Sequence, residues 1–176
     1  MVYASAGQVS AVVPYEVAGQ TSTTLQVEYL GAITAPVALP VTAVVPGLFT
    51  ANSRGFGQGA ILNNKDYSVN NAGNPVPRGD YVDIYLTGAG ATTPASVDGL
   101  LVTAPYPMLA PNAVTVTMGG VPCPNVAYAG AAPYLISGLT QVTVQVPQGV
   151  TPGPSVPLLV TIGGVSSQTG VTLAVQ

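Results

Sequence analysis

The chain has no histidine, no tryptophan, one cysteine and nine charged residues among its 176. Each shortage removes a class of function. Without histidine, Ser-His-Asp and Cys-His arrangements cannot be built, and the usual proton carrier near neutral pH is missing. Cys123 alone allows no intrachain disulfide, and without histidine or a second cysteine zinc lacks its ligands. It lies between prolines in GGVPCPN, where the expected role is a small hydrophobe in a turn. Three Lys and Arg residues form no basic patch, so nucleic acid and anionic lipid are not expected partners. Gly, Pro or Thr interrupts every apolar run before about 18 residues, so no membrane insertion is expected. The chain reads as a non-enzyme with no cofactor and no metal. No N-x-[ST] acceptor occurs, and MVYAS has neither the basic start nor the apolar stretch of a signal peptide. A secreted origin would then mean that a leader has already been removed or lies outside this sequence.

What is present is apolar and punctuated. Hydrophobic residues make up 48% of the chain against 5% charged, with 21 Gly and 17 Pro. Such a composition opposes disorder, which needs few hydrophobic residues and much charge. It also leaves a bare surface, of the kind that persists when buried in an assembly or coated with sugar.

Between the Gly and Pro turns the segments alternate as half-buried strands do. In QVTVQV, Val142, Val144 and Val146 face one way; in VTVTM, Val114, Val116 and Met118 do. DYVDIYL turns Val82, Ile84 and Leu86 inward, and TLQVEY does the same with Leu25, Val27 and Tyr29. A further strand-like segment lies near 100–103. Pro40 places VALPVTAVV at a sheet edge or bulge. An internal repeat runs through these strands. YASAGQVSAVVPYEV (3–17) matches YAGAAPYLISGLTQVTVQVPQGV (128–150), Tyr3 on Tyr128 and Gln8 through Pro14 on Gln141 through Pro147. LQVEYLGAITAPVALPV then follows LLVTIGGVSSQTGVTLAV, with Gly31 set on Gly163 and Ile33 on Val165. The expected fold class is all-β, two tandem immunoglobulin-like β-sandwich modules over 1–74 and 75–176. The first is expected to lack its N-terminal strands, because three strand-like segments precede Tyr128 and none precedes Tyr3.

Several stretches carry a resemblance: GQVSAVVPYEVAGQ, GFGQGAILNNKDYSVN, NPVPRGDYVDIYLTGAG, VTVTMGGVPCPNVAYAGAAPYL, QVTVQVPQGVTPG and GGVSSQTGVTLAV. Together they resemble the uncharacterised acidobacterial (Solibacter-type) C-terminal domain family, found at the ends of large secreted or surface proteins. The resemblance implies immunoglobulin-like modules and an extracellular or cell-surface setting, and no activity. Asp80 and Asp83 depart from it, standing where small or apolar residues are expected.

Candidate sites follow from the strand faces. Val9, Ala11, Val13, Leu25 and Val27 would line an apolar face of the incomplete first module, open to strand addition by copies of the same chain. Tyr81, Asp83 and Tyr85 would share the outer face of one strand, a ladder able to stack on carbohydrate or simply to cover the sheet. Thr92, Thr93 and Ser96 in ATTPAS, with Thr151 and Ser155 in VTPGPS, suit O-glycosylation or turn chemistry alike. GFGQG at 55–59 lacks the Lys and flanking helix of a phosphate loop and reads as a turn. The resulting expectation is a structural subunit of an extracellular fibre, a homopolymer built by strand complementation or sheet-edge packing. The other reading is a surface module binding a glycan or protein at the end of a larger secreted protein.

Overall fold

The computed structural model describes residues 3–176; Met1 and Val2, which open the first expected module, lie outside the described residues. Two compact units divide the chain between Ala43 and Val44.

The N-terminal unit consists of hairpins. β1 (Tyr3–Ser5) pairs antiparallel with β2 (Gln8–Ser10), setting Tyr3 opposite Ser10 and Ala4 opposite Val9. β3 (Ser22–Leu25) pairs with β6 (Val37–Pro40), and inside that pair β4 (Glu28–Tyr29) meets β5 (Ala32–Ile33). The inner turn is Leu30-Gly31, with φ of 49° and 80°. Positive φ at both central residues matches the right-handed twist of the flanking strands, which is why two-residue hairpins favour it. No side chain from residue 3 to 43 is buried.

The C-terminal unit is a β-sandwich. Its strands, in chain order, are β7 (Gly47–Leu48), β8 (Gly57–Gln58), β9 (Ile61–Asn63), β10 (Ser68–Val69), β11 (Tyr81–Thr87), β12 (Val114–Met118) and β13 (Val121–Pro122). They continue with β14 (Val126–Ala131), β15 (Thr140–Gln145), β16 (Gly153–Ile162), β17 (Val165–Ser166) and β18 (Val171–Val175). One sheet runs β10-β9-β11-β15-β14 with β7 also on β11; the other runs β13-β12-β16-β18-β8 with β17 on β16. The alternation expected from sequence sets the core. Val82, Ile84, Leu86, Val142 and Val144 from the first sheet meet Val116, Met118, Leu158, Val160 and Leu173 from the second, all buried in one cluster.

Two expectations are corrected. The expected boundary at 74/75 is overturned, because residues 44–74 belong to the sandwich: Val45 N–H donates to Gly88 O at 2.8 Å, Leu48 pairs with Leu86, and Asn63 with Val82. The Asn-, Gly- and Pro-rich stretch NNAGNPVPRG has linker composition but runs as a strap along the last strand. Val76 is buried, its N–H donates to Ala174 O at 3.1 Å, and Gln176 N–H donates back to Val76 O at 2.9 Å. The segment near 100–103 is no strand; it holds a single bridge, Leu101 to Ile136.

Candidate functional site

The repeat is reproduced in the hairpins, and that comparison builds the site. Tyr128 lies opposite Thr143, Ala129 opposite Val142 and Gly130 opposite Gln141. Those are the counterparts of Tyr3 opposite Ser10, Ala4 opposite Val9 and Ser5 opposite Gln8. Further on, Thr161 pairs with Ser166 and Ile162 with Val165 around the Gly163-Gly164 turn, as Glu28 pairs with Ile33 and Tyr29 with Ala32 around Leu30-Gly31. The match of Gly31 to Gly163 is thereby shifted by one: Gly31 sits where Gly164 does, because the paired strands and not the glycine spacing set the register. β6 and β18 close the repeat, Thr23 opposite Leu39 answering Val156 opposite Leu173. Residues 3–41 therefore correspond strand for strand to β14–β18, the back half of the sandwich. Among the described residues the front half, β7–β13, occurs once.

Burial is where the copies part. Val142, Val144 and Val146 are each 0% exposed, whereas Val9 is 47% and Val13 65% exposed, and Ala11 is exposed. Leu158, Val160 and Ile162 are buried; Leu25, Val27 and Tyr29 are not. The same holds for Val171 and Leu173 against Val37 and Leu39. The five residues expected to form an assembly face thus all lie exposed, and Tyr29, Val37 and Leu39 join them. The alternation of TLQVEY already turned Tyr29 the same way as Leu25 and Val27, and the strand pattern could have added Val37 and Leu39, since VALPV aligns with VTLAV.

The tyrosine ladder is corrected at its middle rung. Asp83 is 0% exposed, so it cannot meet a sugar. Its carboxylate accepts hydrogen bonds from Asn64 Nδ2 at 3.1 and 3.0 Å, Thr143 Oγ1 at 2.6 Å and Gln141 Nε2 at 3.1 Å. Three neutral donors replace the water it lost, which makes an uncharged shell around the carboxylate acceptable. Tyr81 and Tyr85 are half-buried; the Tyr81 hydroxyl accepts from Asn125 Nδ2 at 2.8 Å. Burial, with the nearby Asp83 charge adding to it, holds the Tyr85 hydroxyl above its usual range.

Two side-chain clamps escape the sequence reading. Asn70, fully buried, donates to Asn63 Oδ1 at 3.0 Å and Ala174 O at 2.9 Å and accepts from Ala174 N at 2.9 Å, tying the end of β10 to the opposite sheet. Gln168 imitates a strand rung on Leu48, accepting from its N–H at 2.9 Å and donating to its carbonyl at 2.7 Å. The density of Asn in NNKDYSVNNAGN is the signal that could have found the first. Nothing short-range marks the second.

The remaining candidates separate by exposure. Thr93, Thr151 and Ser155 are exposed. Thr92 and Ser96 hold each other instead, with hydroxyl oxygens 2.9 Å apart and Ser96 N–H donating to Thr92 Oγ1 at 3.1 Å. GFGQG turns into β8, which runs parallel to β18, and leads into β9. Burial pushes the Cys123 thiol up to about 12, so it is held as the neutral thiol. Among the described residues no cluster of three metal-ligating side chains occurs, and no helix is long and apolar enough to cross a membrane. No family model, curated protein or solved structure matches the chain, so the functional reading rests on geometry and chemistry.

Proposed function

We propose that this protein is a structural subunit of an extracellular fibre, assembled when neighbouring copies cover the open half-sandwich at 3–43. The finer identity of its folds, immunoglobulin-like modules of which the first is incomplete, belongs to the same reading. One observation carries it: the counterparts of the buried core residues Val142, Val146, Leu158 and Val160 are the exposed Val9, Val13, Leu25 and Val27. Exposed apolar side chains beside unpaired strand edges favour association. Sparse charge helps, since Glu16 and Glu28 are the charged residues of 3–43 and little like-charge repulsion opposes stacking.

The C-terminal unit supplies a second apolar surface. Val97, Leu100, Leu101 and Tyr134 are more than half exposed. They neighbour one another because Tyr134 N–H donates to Val102 O and Ser137 N–H to Leu100 O, each at 2.9 Å. Two self-associating surfaces on one chain are the minimum for open growth. The glycan reading loses its central rung with Asp83 buried. Negative-stain microscopy and sedimentation of the purified chain test the proposal. Polymers are expected, and Val9→Asp should abolish them while leaving the melting of the C-terminal unit unchanged. A monodisperse monomer whose amides at 3–43 are protected from exchange would refute it.

A further inference from the structure

The fibre reading leaves open what covers residues 3–43, and the repeat answers it. In the complete sandwich, β15 has β14 on one side and β11 on the other, and β16 has β18 and β12. The counterparts β2 and β3–β4 keep the first neighbour of each pair, β1 and β6. Among the described residues their other edges are open. Residues 3–176 hold one front half and two back halves, so a front half lent to 3–43 from within them leaves the lender's own β14–β18 uncovered.

Two open halves can, however, close on each other. β11 runs antiparallel to β15, and β12 antiparallel to β16. Both missing neighbours are therefore antiparallel, and a twofold axis normal to the sheets places an antiparallel strand beside each open edge. We propose that the β2 and β3–β4 edges pair with the same edges of a second copy, giving sheets β1-β2-β2′-β1′ and β6-β3-β3′-β6′ around a shared core. Inward residues must meet inward residues, or the apolar stripe turns to solvent. The register that stacks Val9, Ala11 and Val13 of one copy on those of the other sets Ala11 opposite Ala11 and Val9 opposite Val13. β6 keeps an open edge in this arrangement, since its counterpart β18 is met there by the parallel strand β8. That edge is the one where Pro40 removes a donor, and proline there discourages further pairing. Residues 3–43 also supply the roughly 20–30 residues a side that a stable interface engages.

The pairing deepens the fibre reading and can fail apart from it. Ala11→Cys in a Cys123→Ala background, oxidised mildly as the full chain, should form a disulfide-linked dimer at least ten-fold faster than Thr151→Cys in the same background. Adding Val9→Asp should remove that difference while the C-terminal unit melts as before. Equal rates for the two cysteines overturn the twofold pairing, and filaments that persist alongside equal rates leave the fibre standing on another contact. Rapid Ala11 crosslinking into dimers that never grow supports the pairing and removes the fibre.

Discussion

Leu158 and Leu25 occupy the same place in the two copies of the repeat, 2% and 51% exposed respectively, so one substitution made twice separates core from interface. Leu158→Ala deletes buried methyl groups from a packed sandwich and leaves a cavity, at a cost of about 2–5 kcal/mol. For a domain the size of the C-terminal unit each kcal/mol is worth about 3–4 °C, so the melting temperature should fall by about 6–20 °C. Leu25→Ala removes a side chain that has half its surface still in water. In dilute, unassembled chain it should move the melting of the C-terminal unit by less than about 1 °C. On the proposed pairing its effect belongs to association. Burying the exposed half of a leucine is worth about 1 kcal/mol, roughly a factor of five, and a twofold contact contains two of them, or about 25-fold in the association constant. Circular dichroism melts at low concentration and sedimentation equilibrium across a concentration series read the two quantities separately. If Leu25→Ala melts the dilute chain like Leu158→Ala, or leaves association untouched, residues 3–43 are not an open half of a sandwich.

Two further outcomes test the interior. Asp83→Ala leaves the Asn64 and Thr143 donors without their acceptor in a buried site, while Gln141 keeps its bond to Thr143 Oγ1, and should cost about 2–4 kcal/mol in urea unfolding, with Asp83→Asn costing less because one acceptor oxygen remains; a neutral Asp83→Ala would show the shell to be wet. Cys123, whose thiol is pushed up to about 12, should react with iodoacetamide at pH 8 about a thousand-fold more slowly in the folded chain than in denaturant. The sign follows from linkage: folding favours the protonated thiol, so its contribution is full below the unfolded value of about 8.5 and is lost as pH rises toward about 12. Rates equal within tenfold would place Cys123 in solvent.

Alternation was legible wherever one face of a strand meets a core. Val82, Ile84 and Leu86, or Val114, Val116 and Met118, announce their burial by period two alone. The opposite face was misread at Asp83 because a carboxylate on a strand's outer face is normally solvated, and its shelter comes from Asn64 and Gln141, 19 and 58 residues away. Composition misplaced the domain boundary for a related reason. Asn, Gly and Pro between 70 and 79 mark turns, yet a turn-rich strap can still pair its remaining N–H and carbonyl groups with a strand end, as Val76 does with Ala174 and Gln176. The one-residue slip at Gly31 arose because Gly163-Gly164 offers two glycines to match, and only the pairing of Thr161 with Ser166 selects between them.

The two copies together divide what is local in this fold from what is not. Tyr3 faces Ser10 as Tyr128 faces Thr143, and Glu28 faces Ile33 as Thr161 faces Ser166, whether or not a second half is present. Hairpin register therefore goes with the flanking strands, since Tyr3 and Tyr128 keep corresponding partners although the connection is two residues long in one copy (6–7) and eight in the other (132–139). Burial does not, since Val9 and Val142 share that register and differ by 47% in exposure. Two-stranded hairpins without a covered face are marginal in water, so the energy that settles residues 3–43 has to come from whatever closes over them. Because the register is already set, closing needs no search among strand alignments and orders side chains more than backbone, which lowers the entropic cost of association. On the proposed twofold pairing, folding of the N-terminal unit and self-association are one equilibrium. Raising the concentration of the chain should then stabilise the hairpins, and a substitution that spoils the hairpins should weaken the association by the same free energy.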